Sequence, residues 1–144
     1  MSKVLIVANS SWNIFNFRME LIKEIIKKGN KIVVSCPADK YSYKIKLNKI
    51  KFIKINYRRN SINFYENLKI IINYLFVLRN ENPNIILLYT IKPNIFVNIS
   101  ALFSFRKYKI YNFITGIGNL YFENNLKKKI IFILYKISFK ISQK

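Results

Sequence analysis

The sequence predicts an α/β fold, a Rossmann-like parallel sheet with helices on both faces. Short runs rich in β-branched residues are continuously apolar, as expected of strands buried on both faces, and segments with helical periodicity separate them. Strands that alternate with helices imply right-handed crossovers and therefore a parallel sheet. The length of 144 residues suits a single domain with one sheet.

The strand predictions rest on composition and on the absence of alternation. The five segments are residues 3–8, 31–36, 51–56, 84–89 and 108–113. The third, with the sequence KFIKIN, is the most polar, so we expect it near an edge of the sheet. Cys36 ends the second segment, where we expect a small buried residue.

Helical segments lie between and after these strands. One begins near Met19 and stops before Gly29, a residue type common at helix C-termini. The longest middle segment, residues 64–81, is followed by Asn82-Pro83, which ends it because the residue before a proline avoids the α region. The other segments are residues 40–48, 94–105 and 125–144.

The last segment predicts a basic amphipathic helix. One side would carry Leu126, Ile130, Ile133, Leu134, Ile137 and Ile141, and another would carry Lys129, Lys136, Lys140 and Lys144. Such a helix can lie on an anionic bilayer with its lysines facing the membrane. It can equally cover the sheet with its lysines in solvent. The pattern leaves both interpretations open.

The charge balance is strongly basic, with 26 Lys and Arg against 6 Asp and Glu and a net charge of +20. This favours anionic partners, such as nucleic acid, an anionic membrane surface or phosphorylated substrates. The 27 Ile, 21 Lys and 19 Asn all have A/T-rich codons, so genomic drift explains the excess equally well. Because the charge is spread along the chain rather than concentrated, we do not expect nucleic acid as a partner.

Several chemistries are excluded by the residues present. One cysteine and no histidine rule out an internal disulfide and a Ser-His or Cys-His nucleophile, and predict no metal site. The apolar run from Val4 to Ala8 is shorter than a signal-peptide core. Residues 93–105 and 110–122 are shorter than the roughly 18 apolar residues of a transmembrane span. We therefore expect a cytoplasmic protein without a transmembrane helix.

Ligands of open parallel sheets bind beyond the carboxyl ends of the strands. The residues at those positions are Asn9, Ser10, Asp39, Thr90, Lys92, Thr115, Gly116 and Gly118. Hydroxyls, amides and cations with one carboxylate suit sugar hydroxyls and phosphates better than a metal ion. Arg18 follows Asn16, which we expect to be an N-cap, and a cation near a helix N-terminus is disfavoured unless an anion is bound.

The loop after the first strand, with the sequence NSSWN, contains no glycine. A phosphate-binding turn needs glycine so that the backbone can approach the pyrophosphate and direct its N–H groups at it. We therefore do not expect this loop to bind a nucleotide.

Four segments together resemble a known family. They are residues 3–41, LYTIKPN at 88–94, FITGIGNLYF at 113–122 and LYKISFK at 134–140, so the resemblance covers essentially the whole chain. They are similar to the N-terminal domain of bacterial family 4 glycosyltransferases. The similarity is strongest to the branch that adds sugars to undecaprenyl-diphosphate-linked intermediates of capsule, O-antigen or glycoprotein glycans.

This resemblance implies the N-terminal half of a GT-B fold, in which two Rossmann-like domains face each other. The N-terminal domain holds the lipid-linked acceptor, and the other domain holds the nucleotide-sugar donor. The implied acceptor-binding residues are Asn9, Ser10, Asn16, Arg18, Lys92, Asn94, Thr115, Gly116 and Gly118. No catalytic residue and no cofactor is implied for these 144 residues.

The donor-binding domain, with its paired glutamates, has no counterpart here, so we expect residues 1–144 to be one Rossmann-like domain, incomplete at its C-terminus. The expected function is the acceptor-binding part of a hexosyl- or N-acetylhexosaminyltransferase, truncated or completed by a separate donor-binding chain and inactive alone. We expect it at the inner face of the membrane. The alternatives are a basic membrane-surface or nucleic-acid-binding module, and an enzyme acting alone on a small phosphorylated molecule.

Overall fold

The computed structural model describes residues 1–48, 50–57, 63–115 and 125–142. The strands are β1 (Lys3–Val7), β2 (Lys31–Cys36), β3 (Lys51–Lys54), β4 (Ile85–Tyr89) and β5 (Lys109–Phe113). The helices are α1 (Ser11–Phe17), α2 (Met19–Lys27), α3 (Ser42–Leu47), α4 (Phe64–Glu81), α5 (Ile91–Phe103) and α6 (Asn125–Ser142). The predicted alternation of strands and helices is confirmed.

The strands form one parallel sheet in the order β3-β2-β1-β4-β5. The chain builds outward from β1 to β3 on one side and then crosses to the other side of β1 for β4 and β5. The strand order therefore reverses between β1 and β4, and such a reversal marks the crevice where open α/β sheets bind ligands. β3 lies at an edge of the sheet, as its polar sequence predicts.

Two layers of helices cover the sheet, and the strands supply both cores with alternate side chains. In β1, Val4 and Ile6 pack into the core shared with α1, α2 and α3, whereas Leu5 and Val7 pack into the core shared with α4, α5 and α6. All four side chains are buried. This explains why β1 is continuously apolar rather than alternating.

The boundaries of α4 follow from its capping residues. At its start, the Oδ1 atom of Asn63 accepts hydrogen bonds from the backbone N–H groups of Tyr65 and Glu66. At its end, Asn82 adopts a left-handed conformation with φ of 43°, which asparagine tolerates better than most residues. Pro83 follows, so the predicted stop is confirmed.

The helix after β1 begins earlier than expected, and the interpretation of Asn16 as an N-cap is wrong. Ser10 caps α1 instead, and Asn16 lies inside α1 with its Nδ2 atom donating to the Trp12 carbonyl. Arg18 joins α1 to α2 and occupies the N-cap position of α2, so it does stand at a helix N-terminus. Serine and asparagine favour caps and turns, so the residues of α1 resemble a loop in the sequence.

α5 begins at Ile91, three residues before the predicted start. The chain can enter the helix there because Pro93 lies in the first turn, where its missing N–H would have no intrahelical partner.

The side of α6 that packs against the domain differs from the apolar side expected from the sequence. Tyr135 and Ser138 are buried and Leu134 is half-buried, whereas Ile133 and Ile137 are 58% and 47% exposed. The side chains of Leu126, Ile130 and Ile141, and the whole of Lys144, lie outside the described part of the structure. α6 is apolar around most of its circumference, so its contact with α5 decides which side is covered.

Candidate functional site

The carboxyl ends of the strands form one edge of the sheet, and the loops at this edge are tied to one another. The Ser11 Oγ atom donates to the Pro37 carbonyl and lies 2.8 Å from Ser42 Oγ. Both serines are buried, and both hydroxyls accept from the Asp39 backbone N–H. These bonds fix the loop after β1 against the loop after β2.

The N-terminus of α1 has no amide left for an anion. Its first four backbone N–H groups all have acceptors within the protein, so the donors that would otherwise receive a phosphate are occupied. The four bonds run from Ser11 to the Pro37 carbonyl, from Trp12 to Asp39 Oδ2, from Asn13 to Ser10 Oγ and from Ile14 to the Ser10 carbonyl. This agrees with the expectation that the glycine-free loop does not cradle a nucleotide.

Arg18 is held at the carboxyl end of β4 by aromatic residues. Its guanidinium carbon lies 4.2 Å from the centre of the Tyr89 ring, and this ring stacks on Phe113 with 4.6 Å between centres. Its Nη1 atom donates to the Phe17 carbonyl, while its buried Nε has no hydrogen-bond partner. Burial raises the pKa of Tyr89, and the Arg18 charge opposes that rise.

No carboxylate among the described residues pairs with Arg18. The ion pairs there involve Lys3 and Lys51 with Glu81, Lys23 with Glu20, and Lys27 with Glu24. Stacking on an aromatic ring orients a guanidinium without neutralising it. Arg18 can therefore offer N–H donors and a positive charge to an anionic group in the crevice.

Thr90, between β4 and α5, has a strained backbone. Its φ of 74° and ψ of 166° fall in a region that is essentially restricted to glycine. Its buried Oγ1 has no hydrogen-bond partner. Strain of this kind concentrates at functional sites, and here it lies between Tyr89 and the first turn of α5.

Lys92 lies in the first turn of α5, with its Nζ atom 5.6 Å from the centre of the Tyr57 ring. Burial lowers the pKa of Lys92, and the charge of Glu66 partly offsets that effect. The Tyr57 hydroxyl donates to the Ala8 carbonyl at the end of β1. Tyr57 therefore links the lysine to the switch point between β1 and β4.

A pocket of about 440 Å³ opens beside Lys92, beyond the ends of β2 and β3. It is lined by Pro37, Ala38, Lys54, Asn56, Tyr57, Glu66 and Lys69. The sequence analysis did not predict this pocket. Its lining residues come from the loop after β2, the end of β3 and the start of α4, which are separate segments of the chain. The KFIKINY run carried the available signal, since Lys54, Asn56 and Tyr57 lie within four residues where the strand ends.

The remaining sequence-predicted residues are placed differently. Asn9 is half-buried at the end of β1, Ser10 caps α1, and Thr115 is exposed after β5. Asn94 is fully buried, and its Nδ2 atom donates to the Phe113 carbonyl. Gly116 and Gly118 lie outside the described residues. The structure thus brings Ser10, Arg18 and Lys92 to the same edge and places Asn94 beneath it.

Asn94 also contributes to the contact with α6. Burial raises the pKa of Tyr135 to about 12, and a side-chain hydrogen bond with Asn94 opposes the rise. Asn94 therefore connects the end of β5, α5 and α6 beneath the crevice.

Neither a metal-binding cluster nor a membrane-spanning helix is present among the described residues. No group of three or more His, Cys, Asp or Glu side chains in this part of the chain could hold a metal ion. No described helix is both long and apolar enough to cross a membrane.

A family described as glycosyl transferase 4-like has a model that matches residues 3–144. One curated relative is N,N'-diacetylbacillosaminyl-diphospho-undecaprenol alpha-1,3-N-acetylgalactosaminyltransferase of Campylobacter jejuni subsp. jejuni serotype O:2. The two sequences are 29% identical over 140 residues, which cover 94% of this chain and 37% of the relative. The chain thus spans little more than a third of the relative's length.

Solved structures with the same fold include a glycosyltransferase from Rickettsia africae. It has a TM-score of 0.63 and 14% identity, over 89% of this chain and 35% of that one. The UDP-GlcNAc 2-epimerase from Neisseria meningitidis bound to UDP-GlcNAc also has a TM-score of 0.63, with 18% identity over 94% of this chain and 38% of that one. Identities this low show the Rossmann-like fold, which a transferase and an epimerase share.

Proposed function

The chain belongs to the glycosyl transferase 4-like family, and on that premise we propose that it is the acceptor-binding part of a glycosyltransferase. The proposed reaction moves a hexosyl or N-acetylhexosaminyl group from a nucleotide-sugar to a polyprenyl-diphosphate-linked saccharide in cell-surface polysaccharide or glycan biosynthesis. The Campylobacter relative, whose name describes a diphospho-undecaprenol acceptor, supports this choice. The family match does not favour a membrane-surface or nucleic-acid-binding module without catalysis.

The observation that carries the acceptor assignment is the position of Arg18. Its guanidinium lies over Tyr89 at the crevice, and no described carboxylate neutralises it. A guanidinium matches the geometry of phosphate oxygens. Ser10, Asn9, Lys92 and Thr115 supply the hydroxyl, amide and ammonium groups that we assign to the acceptor. Asn94, being buried, would support this site from below.

The acceptor assignment is tested by titrating the chain with a polyprenyl-diphosphate-linked saccharide in mixed micelles. We expect saturable binding that is weakened in Arg18→Gln. An equally basic control protein and a polyprenyl phosphate without saccharide measure the contribution of charge alone. Binding no stronger than that of the control protein would overturn the acceptor assignment.

We further propose that the donor nucleotide-sugar is held outside these 144 residues, by a further segment or a separate chain. The occupied amides of α1 support this, since they leave no cradle for a pyrophosphate there. We expect no sugar transfer when the chain alone is given a labelled UDP-N-acetylhexosamine and the lipid-linked acceptor. Transfer by the purified chain would contradict this proposal.

The proposed location is the inner face of the membrane, where a lipid-linked acceptor is accessible from the cytoplasm. Lys129, Lys136 and Lys140 are all exposed on α6 and are the proposed membrane-facing residues. They share this surface with Phe132, Ile133 and Ile137, which are also exposed. A mixed basic and apolar surface suits the headgroup region of an anionic bilayer.

A further inference from the structure

α4 carries large apolar side chains on two opposite faces. Its inner face packs into the core through Ile70, Tyr74, Val77 and Leu78. Its outer face carries Tyr65, Leu68, Ile72 and Phe76, which we call the α4 stripe. Spacings of three and four residues place these side chains in one line along the helix.

The α4 stripe is open to solvent along its whole length. Tyr65 is 75% exposed, Leu68 and Ile72 are each 43% exposed, and Phe76 is 57% exposed. The stripe extends over about 16 Å at the rise of an α-helix. Surface helices of soluble domains usually place polar residues on the side away from the core. The second apolar face of α4 is therefore typical of a helix whose outer side binds another apolar surface.

The α4 stripe belongs to the same helical layer as the basic surface of α6. α5 packs between α4 and α6, and all three contribute to one core. The exposed apolar residues of α6 are Phe132, Ile133 and Ile137. The outer surface of the layer therefore presents two apolar ridges, separated by α5.

The charge around these ridges is of one sign. Lys69 and Arg79 are exposed on α4, as are Lys129, Lys136 and Lys140 on α6. The three helices contain two carboxylates, Glu66 and Glu81. Glu81 is buried and paired with Lys3 and Lys51, and Glu66 is half-buried beside Lys92.

We propose that the outer surface of the α4–α6 layer docks on an anionic lipid bilayer, with the α4 stripe inserted at the boundary between headgroups and acyl chains. Aromatic and aliphatic side chains flanked by cations are the composition that binds this boundary. A second copy of this chain fits the surface poorly, because it would bring cations against cations in a protein of net charge +20. The inference rests on the proposed function, since a lipid-linked acceptor resides in such a bilayer.

Docking in this orientation brings the crevice to the membrane. α4 starts at the carboxyl edge of the sheet, where the pocket and Lys92 lie, so Phe64 and Tyr65 mark the end of the helix nearest the site. A bilayer in contact with the α4 stripe would therefore extend to the carboxyl edge of the sheet, where we propose that the acceptor binds.

The experiment is co-sedimentation of the chain with vesicles of phosphatidylcholine containing about 30% phosphatidylglycerol. We expect binding to these vesicles and little to pure phosphatidylcholine. Ile72→Ser combined with Phe76→Ser is expected to weaken binding by about tenfold or more, through lost apolar burial. The matched control is Leu21→Ser combined with Leu47→Ser, which removes two exposed apolar residues from the other helical layer and should leave binding unchanged.

Equal binding by the stripe variant and the unaltered chain would overturn the proposal. So would a dimer in sedimentation equilibrium that the stripe variant abolishes, because the stripe would then join two copies. Should the stripe variant fail to fold, Phe76→Trp combined with Trp12→Phe provides the test, because position 76 then holds the only tryptophan in the sequence. Quenching of its fluorescence by brominated lipids supports insertion, and no quenching contradicts it.

The same variants separate this inference from the proposed function. A saccharide diphosphate with a short, water-soluble isoprenoid needs no bilayer. The stripe variant is expected to bind it as the unaltered chain does, whereas Arg18→Gln is expected to bind it less well while still sedimenting with vesicles.

Discussion

The guanidinium of Arg18 lies 4.2 Å from the centre of the Tyr89 ring, and this contact joins the α1–α2 junction to the end of β4. Tyr89 is buried and stacks on Phe113 of β5. A cation fixed in this way loses little rotamer freedom when it meets an anionic ligand. The proposed acceptor site is therefore organised by three elements that are distant in sequence.

Arg18→Gln tests this contact most directly. We expect affinity for the lipid-linked saccharide to fall by about tenfold or more, because a charge-assisted hydrogen bond contributes roughly 1.5–3 kcal/mol. The free energy of unfolding should fall by only about 1 kcal/mol, the scale of a cation–π contact. Calorimetric titration measures the change in affinity, and denaturant unfolding measures the change in stability. The charge-matched control is Lys31→Gln, which lies at the amino end of β2, away from the crevice.

Asp39 is predicted to stabilise the domain rather than to bind the acceptor. Its Oδ2 atom caps α1 through the Trp12 N–H, and its Oδ1 atom accepts from the Tyr41 N–H. Asp39→Ala should lower the free energy of unfolding by about 1 kcal/mol and leave acceptor affinity within about twofold, a change of roughly 0.4 kcal/mol. A large loss of affinity at unchanged stability would instead place the carboxylate in the binding site; Lys40→Ala is the neighbouring control.

Thr90 is predicted to reverse the usual order of alanine and glycine. A protein with glycine at a given position is normally less stable than one with alanine there, by roughly 0.5–1 kcal/mol. At position 90, however, the φ of 74° strains any residue with a Cβ atom. Thr90→Gly should therefore be more stable than Thr90→Ala, by about 1 kcal/mol. Both variants lack the unpaired hydroxyl, so the comparison isolates the backbone. Thermal unfolding of the two variants measures the difference in stability. Greater stability of Thr90→Ala than of Thr90→Gly would show that the backbone at position 90 is unstrained.

Lys92 is predicted to titrate below its ordinary pKa of 10.5, chiefly because burial disfavours the ammonium form. The folded state then binds fewer protons than the unfolded state in the pH range just below 10.5, so this residue makes stability rise with pH there. Glu66→Gln should lower the Lys92 pKa further, because it removes the opposing charge. NMR titration of the lysine side chain measures both values, with Glu24→Gln on α2 as the control.

Local patterns predicted most of the fold. Continuous apolar runs identified β1, β2 and β4, because a strand buried on both faces has few polar side chains to alternate. The predicted β3 and β5 are also strands, although both are partly exposed and carry polar residues. The end of α4 followed from Asn82 and Pro83 alone. α1 was missed because its Ser and Asn residues are equally common in turns. The contacts that favour a helix there come from distant residues: Ile14 is buried in the core, and the first amides of α1 bond to Pro37 and Asp39.

The candidate site was predicted only in part. The edge of the sheet that holds the site followed from the rule for open parallel sheets, which requires only that the strands be parallel. The positions of Asn94 and Arg18 both depend on Phe113 of β5. The Phe113 carbonyl accepts a hydrogen bond from the buried Asn94 side chain. The Phe113 ring stacks on Tyr89, whose ring also contacts the Arg18 guanidinium at the surface of the crevice. The occupied amides of α1 likewise depend on Pro37 and Asp39 of a different loop.

The sequence by itself determined which segments are strands and helices and that α4 and α6 are apolar, because those properties arise from neighbouring residues and their periodicity. The tertiary structure decided which apolar faces are covered. α5 buries Tyr135 and Ser138 of α6 and leaves Ile133 and Ile137 exposed. Burial is a property of contacts between segments far apart in the chain, so a helix that is apolar on two sides acquires an inner and an outer face only when its neighbours are in place.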